Sequence, residues 1–363
     1  MIERDVVEAA VRLRATGEPY VIATVVEVAG SAYRRPGARM LIGRDRWIAG
    51  SVSGGCLEGD AITRGWWRTE RGPVVVSYDA RVTEDDDERA AFGLGCDGVV
   101  DVLFERAGAH LDPLELHARA WRAQARAKIA TIIATDDPIA APVGARVAMI
   151  GDELLRDAFP DDAFAETMLA DLQGAEVSCT RQHAPARTVA IEVTAPPPCL
   201  FVLGSGHDAV PVVAAARALG WETIVLAPHA RPGLRDRFAH ADQLVVGPPE
   251  VVRAAIDRSA RAACVIMSHD LDRDRAALAV ARATGAAYIG VLGPRRRTER
   301  LAADVFDDPR VHAPVGLALG AETPAAIALS IVAEIHAFLA GAETRPLSAH
   351  AGPIHPRTVG IVR

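Results

Sequence analysis

Over the first 20 residues, Val6, Val7, Ala10, Val11 and Leu13 cluster on one side of a helical projection, and Gly17 and Pro19 end the run. That spacing predicts an amphipathic helix. The period then changes. "YVIATVVEV" is a β-branched run suited to a strand, "GSAYRRPGARMLIG" a loop leading into a second strand, and "WIAGSVSGG" a third that stops in glycines. Residues 57–69 return to helical spacing, and "PVVVSYD" and "VVDVLFE" add strands on either side of the acidic loop "TEDDDERAA".

Laying residues 22–42 over 129–149, an offset of 107, uncovers an internal echo. "IATVV" meets "IATII" and "GARMLI" meets "GARVAM", with Ala23, Thr24, Gly37, Ala38 and Arg39 identical to Ala130, Thr131, Gly144, Ala145 and Arg146. The segment from about 125 to 195 is thus a second, decayed copy of the strand-loop-strand unit, without a counterpart of the glycine-cysteine loop at residues 53–56. "TAPPPC" at 194–199 is a stiff linker, because successive prolines do not sit in a central strand.

Beyond the linker, short continuous apolar runs ("CLFVL", "ETIVLA", "DQLVV", "ACVIMS", "AAYIGVLG") alternate with segments of helical period. Runs of this kind belong to parallel strands covered on both faces, so a doubly wound sheet is expected. Thr323 and Pro324 read as N-cap and first-turn residue of the helix "AAIALSIVAEIHAFLA". The fold class expected is α/β: a C-terminal Rossmann-like doubly wound parallel sheet, preceded by an α/β domain with a β-rich repeated unit. The domains expected are 1–195, split near 110 into two related units, then 199–340, then a loose tail over 341–363.

Composition narrows the function classes. A length of 363 residues suits two or three domains. A net charge of -7 leaves no basic surface for a nucleic acid. The charged N-terminal segment is neither a signal peptide nor an anchor, and no apolar run approaches the roughly 20 residues that span a bilayer. A cytoplasmic protein with no membrane partner is expected. The five cysteines, at 56, 96, 179, 199 and 264, are odd in number and widely spaced, which fits reduced thiols better than a disulfide framework or a zinc site.

Two of those cysteines sit in glycine loops, Cys56 in "GSVSGGCLEGD" and Cys96 in "FGLGCDG". Glycines permit positive φ and bring backbone N–H groups towards an anion, beside a soft sulfur. Cys56 also falls where a strand gives way to a helix N-terminus, which favours a thiolate, with Glu58 opposing it. A small buried cysteine in a tight turn is the competing reading. "GSGHDA", residues 204–209, fits the dinucleotide fingerprint between a strand and a helix, with Gly204 for the turn and Gly206 for close approach to a phosphate. The carboxylate that would hold a ribose is missing, since Thr223 to Arg235 contains no Asp or Glu; His229 and Arg231 stand there instead. "MSHDLDRD" places His269, Asp270 and Asp272 after another strand, as ligand contacts or as a turn and helix cap, and "GPRRRTERL" is a phosphate clamp or a solvated helix face.

Taken in order from about residue 20 to 340, "GSAYRRPGARMLI", "GSVSGGCLEGD", "GLGCDGVVDVLFE", "APPPCLFVLGSGHDAVPVVAAARALGW", "VIMSHDLDRD", "AAYIGVLGPRRR" and "HAPVGLALGAETPAAIALSIVAEI" resemble the XdhC/CoxI family, the xanthine dehydrogenase accessory factors. The resemblance implies a non-catalytic maturation factor that binds the molybdenum cofactor, as molybdopterin or its dinucleotide. Such a factor shelters the sulfurated form and passes it to an apo molybdenum hydroxylase, working with a cysteine desulfurase. A homodimer is expected. The implied cofactor-binding residues are Ser53, Gly54, Gly55, Cys56, Gly95, Cys96, Gly204, Ser205, Gly206 and His207, with Cys56 and Cys96 as soft ligands to the metal. The alternative is an NAD(P)-linked oxidoreductase with a cysteine-containing substrate domain. The missing ribose carboxylate and the lack of an evident general acid favour the accessory factor.

Overall fold

The computed structural model describes residues 3–30, 32–79, 98–184, 186–302 and 304–349. The described residues of Met1–Pro196 form one compact unit and those of Pro197–Pro356 a second.

The first unit runs α1 (Arg4–Thr16), β1 (Val21–Gly30), β2 (Arg39–Ile42), β3 (Trp47–Gly50), α2 (Glu58–Arg68), β4 (Val74–Asp79) and β5 (Gly98–Arg106). It continues with α3 (Pro113–Arg122), β6 (Ala127–Ala134), β7 (Arg146–Ile150), β8 (Glu153–Arg156), α4 (Asp162–Gly174), β9 (Cys179–His183) and β10 (Arg187–Thr194). The strands make two antiparallel sheets, ordered β3-β2-β1-β5-β4 and β8-β7-β6-β10-β9. The two orders are the same permutation, and α2 and α4 occupy the same place in their copies. The duplication expected from the 107-residue echo is therefore complete, including the strands in which no sequence similarity survives.

Local bonding repeats with it. Gly37 N donates to Val25 O and Val25 N to Ala38 O, at 2.8 and 2.9 Å; Gly144 N donates to Ile132 O and Ile132 N to Ala145 O, at 2.8 and 3.0 Å. The identical Gly-Ala-Arg triplets are the residues that make this turn and enter the second strand of each copy.

One face of each sheet is covered by its own helix. Leu57 and Ala61 pack on Val21, Ala23, Met40 and Ile42 in the first copy, and Phe164, Met168 and Leu172 on Ala130, Ile132 and Val147 in the second. The opposite faces are shared. Helix α3 buries Leu114 and Ala118 with α1 and the first sheet, and Leu116 and Ala120 with the second sheet. Val26, Leu103 and Ile133 close the gap between the sheets. Two ion pairs cross there. Arg39 reaches Glu192 on β10 at 2.6 and 3.1 Å, and Arg146 reaches Glu105 on β5 at 2.5 and 2.8 Å.

The second unit contains β11 (Cys199–Leu203), α5 (Ala209–Ala218), β12 (Glu222–Ala227), α6 (Leu234–Arg237), β13 (Gln243–Val246), α7 (Arg253–Arg258), β14 (Ala262–Ile266), α8 (Leu271–Arg282), β15 (Tyr288–Val291), α9 (Arg295–Glu299), β16 (Val311–His312) and α10 (Pro324–Ala340). Its six strands are parallel in the order β13-β12-β11-β14-β15-β16, the Rossmann arrangement. Helices α5 and α10 bury one face and α7 and α8 the other, which is why the strands read as unbroken apolar runs. Thr323 caps α10 by accepting from Ala326 N at 3.2 Å, with Pro324 at its first turn. The acidic loop at 84–88 and the tail beyond 349 lie outside the described residues.

Candidate functional site

The loop between β3 and α2 is built around Ser53. Its backbone N–H and that of Val52 donate to Glu58 Oε1 at 2.9 and 3.1 Å, and its hydroxyl donates to Glu58 Oε2. The same hydroxyl oxygen accepts from Gly55 N at 3.1 Å and Leu57 N at 3.0 Å. Ser53 thus ties together N–H groups of the loop that leads into α2, while Glu58 in the first turn of the helix reaches back to Val52 and Ser53. Partial burial would raise the Glu58 carboxyl, but the bonds from Ser53 and Val52 prevail and hold it below the ordinary carboxylate range. With one donor and two acceptor sites used, the Ser53 hydroxyl is engaged within the loop. It shapes the site rather than facing outward.

The glycines and the cysteine do face outward. Gly55, at φ +119°, has a backbone conformation that only glycine takes without strain. Gly54, Gly55 and Cys56 are all exposed, and the Cys56 thiol is free. The reading of Cys56 as a small buried cysteine is thereby excluded. Among the described residues, the N–H groups of Gly54 and Cys56 have no hydrogen-bond partner. The ring of Tyr33, 77% exposed, stands beside Gly54, where an added Cβ would meet it at 3.7 Å. Gly95 and Cys96, the other half of the expected pair, lie outside the described residues.

The second copy shows what the same connection looks like without a site. Between β8 and α4, Asp157 accepts from Leu111 N at 2.7 Å and Arg146 N at 2.8 Å, and Asp161 caps α4 through Phe164 N at 2.9 Å. Phe159 is buried in the core of its copy. Phe159 is the counterpart of Val52, buried in the first core in the same way, and the position 107 residues on from Cys56 is the exposed Ala163, so the second loop differs in having no thiol and no glycines.

In the second unit the expected residues gather at the carboxyl ends of β11 and β14, where the strand order reverses. Gly204, at φ +147°, packs so tightly on the neighbouring strand end that an added Cβ would lie 2.5 Å from Met267 O. Ser205 O accepts from Arg237 Nη1 at 3.4 Å, and His207 is exposed with no hydrogen-bond partner among the described residues. Gly206 is approached from within the protein, since a Cβ there would lie 2.5 Å from Asp208 Oδ1. Asp208 also pairs with His269 Nε2 at 2.7 Å, across from the loop after β14.

His269 is held in left-handed backbone, φ +60°, by its neighbours. Ser268 donates its N–H at 3.1 Å, and its hydroxyl, to the buried Asp274, and Asp270 caps α8 through Asp272 N and Arg273 N, each at 3.1 Å. Of the two readings for the "SHDLD" segment, Asp270 is thus the helix cap, and Asp272 pairs with Arg275 at 2.7 Å. In "GPRRR", Arg297 turns inward to Asp274 at 2.6 Å, whereas Arg295 and Arg296 are exposed. The Asp208–His269 pair and the Asp274–Arg297 support escape a linear reading, since each joins residues of different strand ends. Among the described residues, no group of three or more His, Cys, Asp or Glu side chains is placed to hold a metal ion, and no helix is long and apolar enough to cross a membrane.

Comparison with known proteins agrees with this architecture. Residues 200–335 match the XdhC Rossmann domain and residues 13–79 the XdhC and CoxI family. The chain is 29% identical over 327 residues, 88% of its own length and 92% of the relative's, to a protein of Bacillus subtilis named as a probable xanthine dehydrogenase subunit. It is 28% identical over 157 residues to the uncharacterized protein YqeB of Escherichia coli, covering 41% of this chain and 29% of that one. A crystal structure described as a xanthine dehydrogenase from Bacillus halodurans superposes with a TM-score of 0.73 at 25% identity, covering 94% of this chain and 98% of the other.

Proposed function

Because the chain belongs to the XdhC and CoxI family, we propose that it acts as an accessory factor in the cytoplasm for a molybdenum hydroxylase of the xanthine dehydrogenase or CO dehydrogenase type. In this reading it binds the molybdenum cofactor, protects its sulfurated form and delivers it to the apo enzyme, with a cysteine desulfurase as sulfur source and a homodimer as the working assembly. Membership of the family supports the accessory role; binding and delivery are the part put forward here.

The observation that carries the reading is the open Cys56 loop, whose exposed thiol and glycines have no counterpart in the second copy, where residues 157–161 read Asp-Ala-Phe-Pro-Asp. A thiol is a soft donor suited to a thiophilic metal or to a sulfur in transit. The N–H groups of Gly54 and Cys56, without a hydrogen-bond partner among the described residues, suit the anionic atoms that accompany it. The residues proposed to touch the cofactor are Gly54, Gly55, Cys56, Gly95, Cys96, Gly204, Ser205, Gly206 and His207, with Ser53 setting the loop. The cofactor supplies the metal and sulfur chemistry; the protein holds it and restricts access of water and oxidants.

The test is purification of the full chain, without oxygen, from cells that make the cofactor. Oxidised extracts are expected to show a fluorescent pterin derivative in amounts comparable to the protein. Protein that carries neither pterin nor molybdenum from such cells, yet binds a nicotinamide coenzyme saturably, would establish the oxidoreductase alternative instead.

A further inference from the structure

We propose that the end of β12 is a phosphomonoester subsite, formed by His229 and Arg273 with Arg231, in the place where dinucleotide-binding sheets keep a ribose-binding carboxylate. The inference rests on reading the edge of this sheet as a ligand edge and deepens the function proposed above.

A ribose diol is held by an acceptor, because both hydroxyls must donate. Here β12 ends in Ala227, which is fully buried, and the chain leaves as Pro228-His229-Ala230-Arg231 with no carboxylate before Asp236. His229 and Arg231 are exposed, and Arg231 has no ion-pair partner among the described residues. From the other side of the edge, α8 brings Arg273, whose Nη2 stands 3.4 Å from His229 Nε2. Two groups that can both carry positive charge thus converge from different elements.

The nearby carboxylates are already engaged, Asp270 in part with the Nε end of Arg273 itself. Asp208 pairs with His269 at 2.7 Å. Asp270 accepts from the N–H groups of Asp272 and Arg273, and its other oxygen lies 3.7 Å from Arg273 Nε. Asp272 pairs with Arg275. Arg273 therefore keeps its Nη end turned to His229 and solvent. The guanidinium, which can only donate, uses His229 Nε2 as its acceptor, a contact that a dianion can replace by accepting charge-assisted hydrogen bonds from the guanidinium and the imidazole N–H together. Such a phosphate can come from the side chain of a pterin cofactor or from a 2′-phosphorylated nucleotide.

The experiment separates those sources. The full chain is titrated with 2′,5′-ADP and with 5′-AMP by calorimetry, and separately with the oxidised pterin derivative before and after phosphatase treatment. We expect the form with the additional phosphate, 2′,5′-ADP or the untreated pterin derivative, to bind at least about tenfold tighter within one of the pairs, in line with one or two charge-assisted bonds. In His229→Ala and in Arg273→Gln that ratio should fall below about threefold, with the melting temperature unchanged because both side chains are exposed. A ratio seen only in the pterin pair identifies the cofactor. A ratio seen only in the nucleotide pair keeps the subsite but counts against the cofactor reading. The subsite is overturned if neither pair discriminates, or if discrimination survives both substitutions.

Discussion

Arg146, in the second copy of the repeated unit, donates from both terminal nitrogens to Glu105 in the first, at 2.5 and 2.8 Å, and both side chains are buried. The reverse contact, Arg39 to Glu192, is made by the residues at the equivalent places. Each copy thus neutralises a charge in the other.

Breaking one pair should be costly and removing both partners should not. Arg146→Met alone leaves Glu105 buried without its cation and is expected to destabilise the first unit by about 3–5 kcal/mol. Arg146→Met combined with Glu105→Met should recover all but about 1–2 kcal/mol. Urea unfolding followed by far-UV circular dichroism measures both. Equal losses in the single and double variants would mean that the pair acts through shape, not charge.

Acid should loosen the same interface. Burial lowers the His117 pKa from its ordinary 6.5, only partly offset by Glu192, which lies 3.4 Å away. For Glu192, burial alone would raise the carboxyl, but Arg39 and His117 carry it well below 4.5. Both folded values lie under the unfolded ones, so the unfolded chain binds more protons and stability falls as pH falls. The contribution of His117 is complete above about pH 6.5 and that of Glu192 above about pH 4.5, and each is lost as pH drops through its folded value. Melting temperatures from pH 8 to about pH 2 should decline in two stages, the second below about pH 4.5, and His117→Gln should remove the upper one.

Thiol chemistry should divide the cysteines. Cys56 is exposed, whereas Cys199 and Cys264 are buried in the second unit, where burial raises both thiols, Cys264 to about 12. Iodoacetamide applied to the folded full chain, followed by mass spectrometry, should label Cys56 and spare Cys199 and Cys264 until denaturant is added. Protection of Cys56 in ligand-free protein would contradict the open loop.

Cys56→Ala should abolish cofactor retention while changing stability by less than about 0.5 kcal/mol, as expected of an exposed side chain. Gly204→Ala should do the opposite kind of damage. The new methyl would press on Met267 O from a backbone region closed to alanine, costing roughly 2 kcal/mol or more. Differential scanning calorimetry and pterin content, measured on the same preparations, tell the two outcomes apart.

Much of the fold was legible because local pattern and burial agree. Unbroken apolar runs such as "CLFVL" are what strands covered on both faces require, and Thr323-Pro324 names the start of its helix. The duplication could be read from one turn, since Gly37-Ala38-Arg39 and Gly144-Ala145-Arg146 preserve a backbone need and a buried charge, while the facing strands drifted. Ser53 misled in part: a serine among glycines suggests a ligand contact, and only the distance to Glu58 shows that it builds the loop. Asp208 and His269 lie 61 positions apart, and no periodicity links residues that meet because two strand ends are neighbours. Arg297 was hidden for the same reason, its partner Asp274 being supplied by another helix.

The lack of a thiol in the second copy's loop has a consequence for loading. A duplicated unit could have offered two equivalent positions, but the connection at 157–161 in the second copy carries neither the cysteine nor the glycines of the first. With respect to the Cys56 loop, each chain is monovalent, so occupancy at that loop should follow a simple hyperbola in ligand concentration. Any sigmoidal loading curve would then report coupling between separate chains, not between the two halves of one.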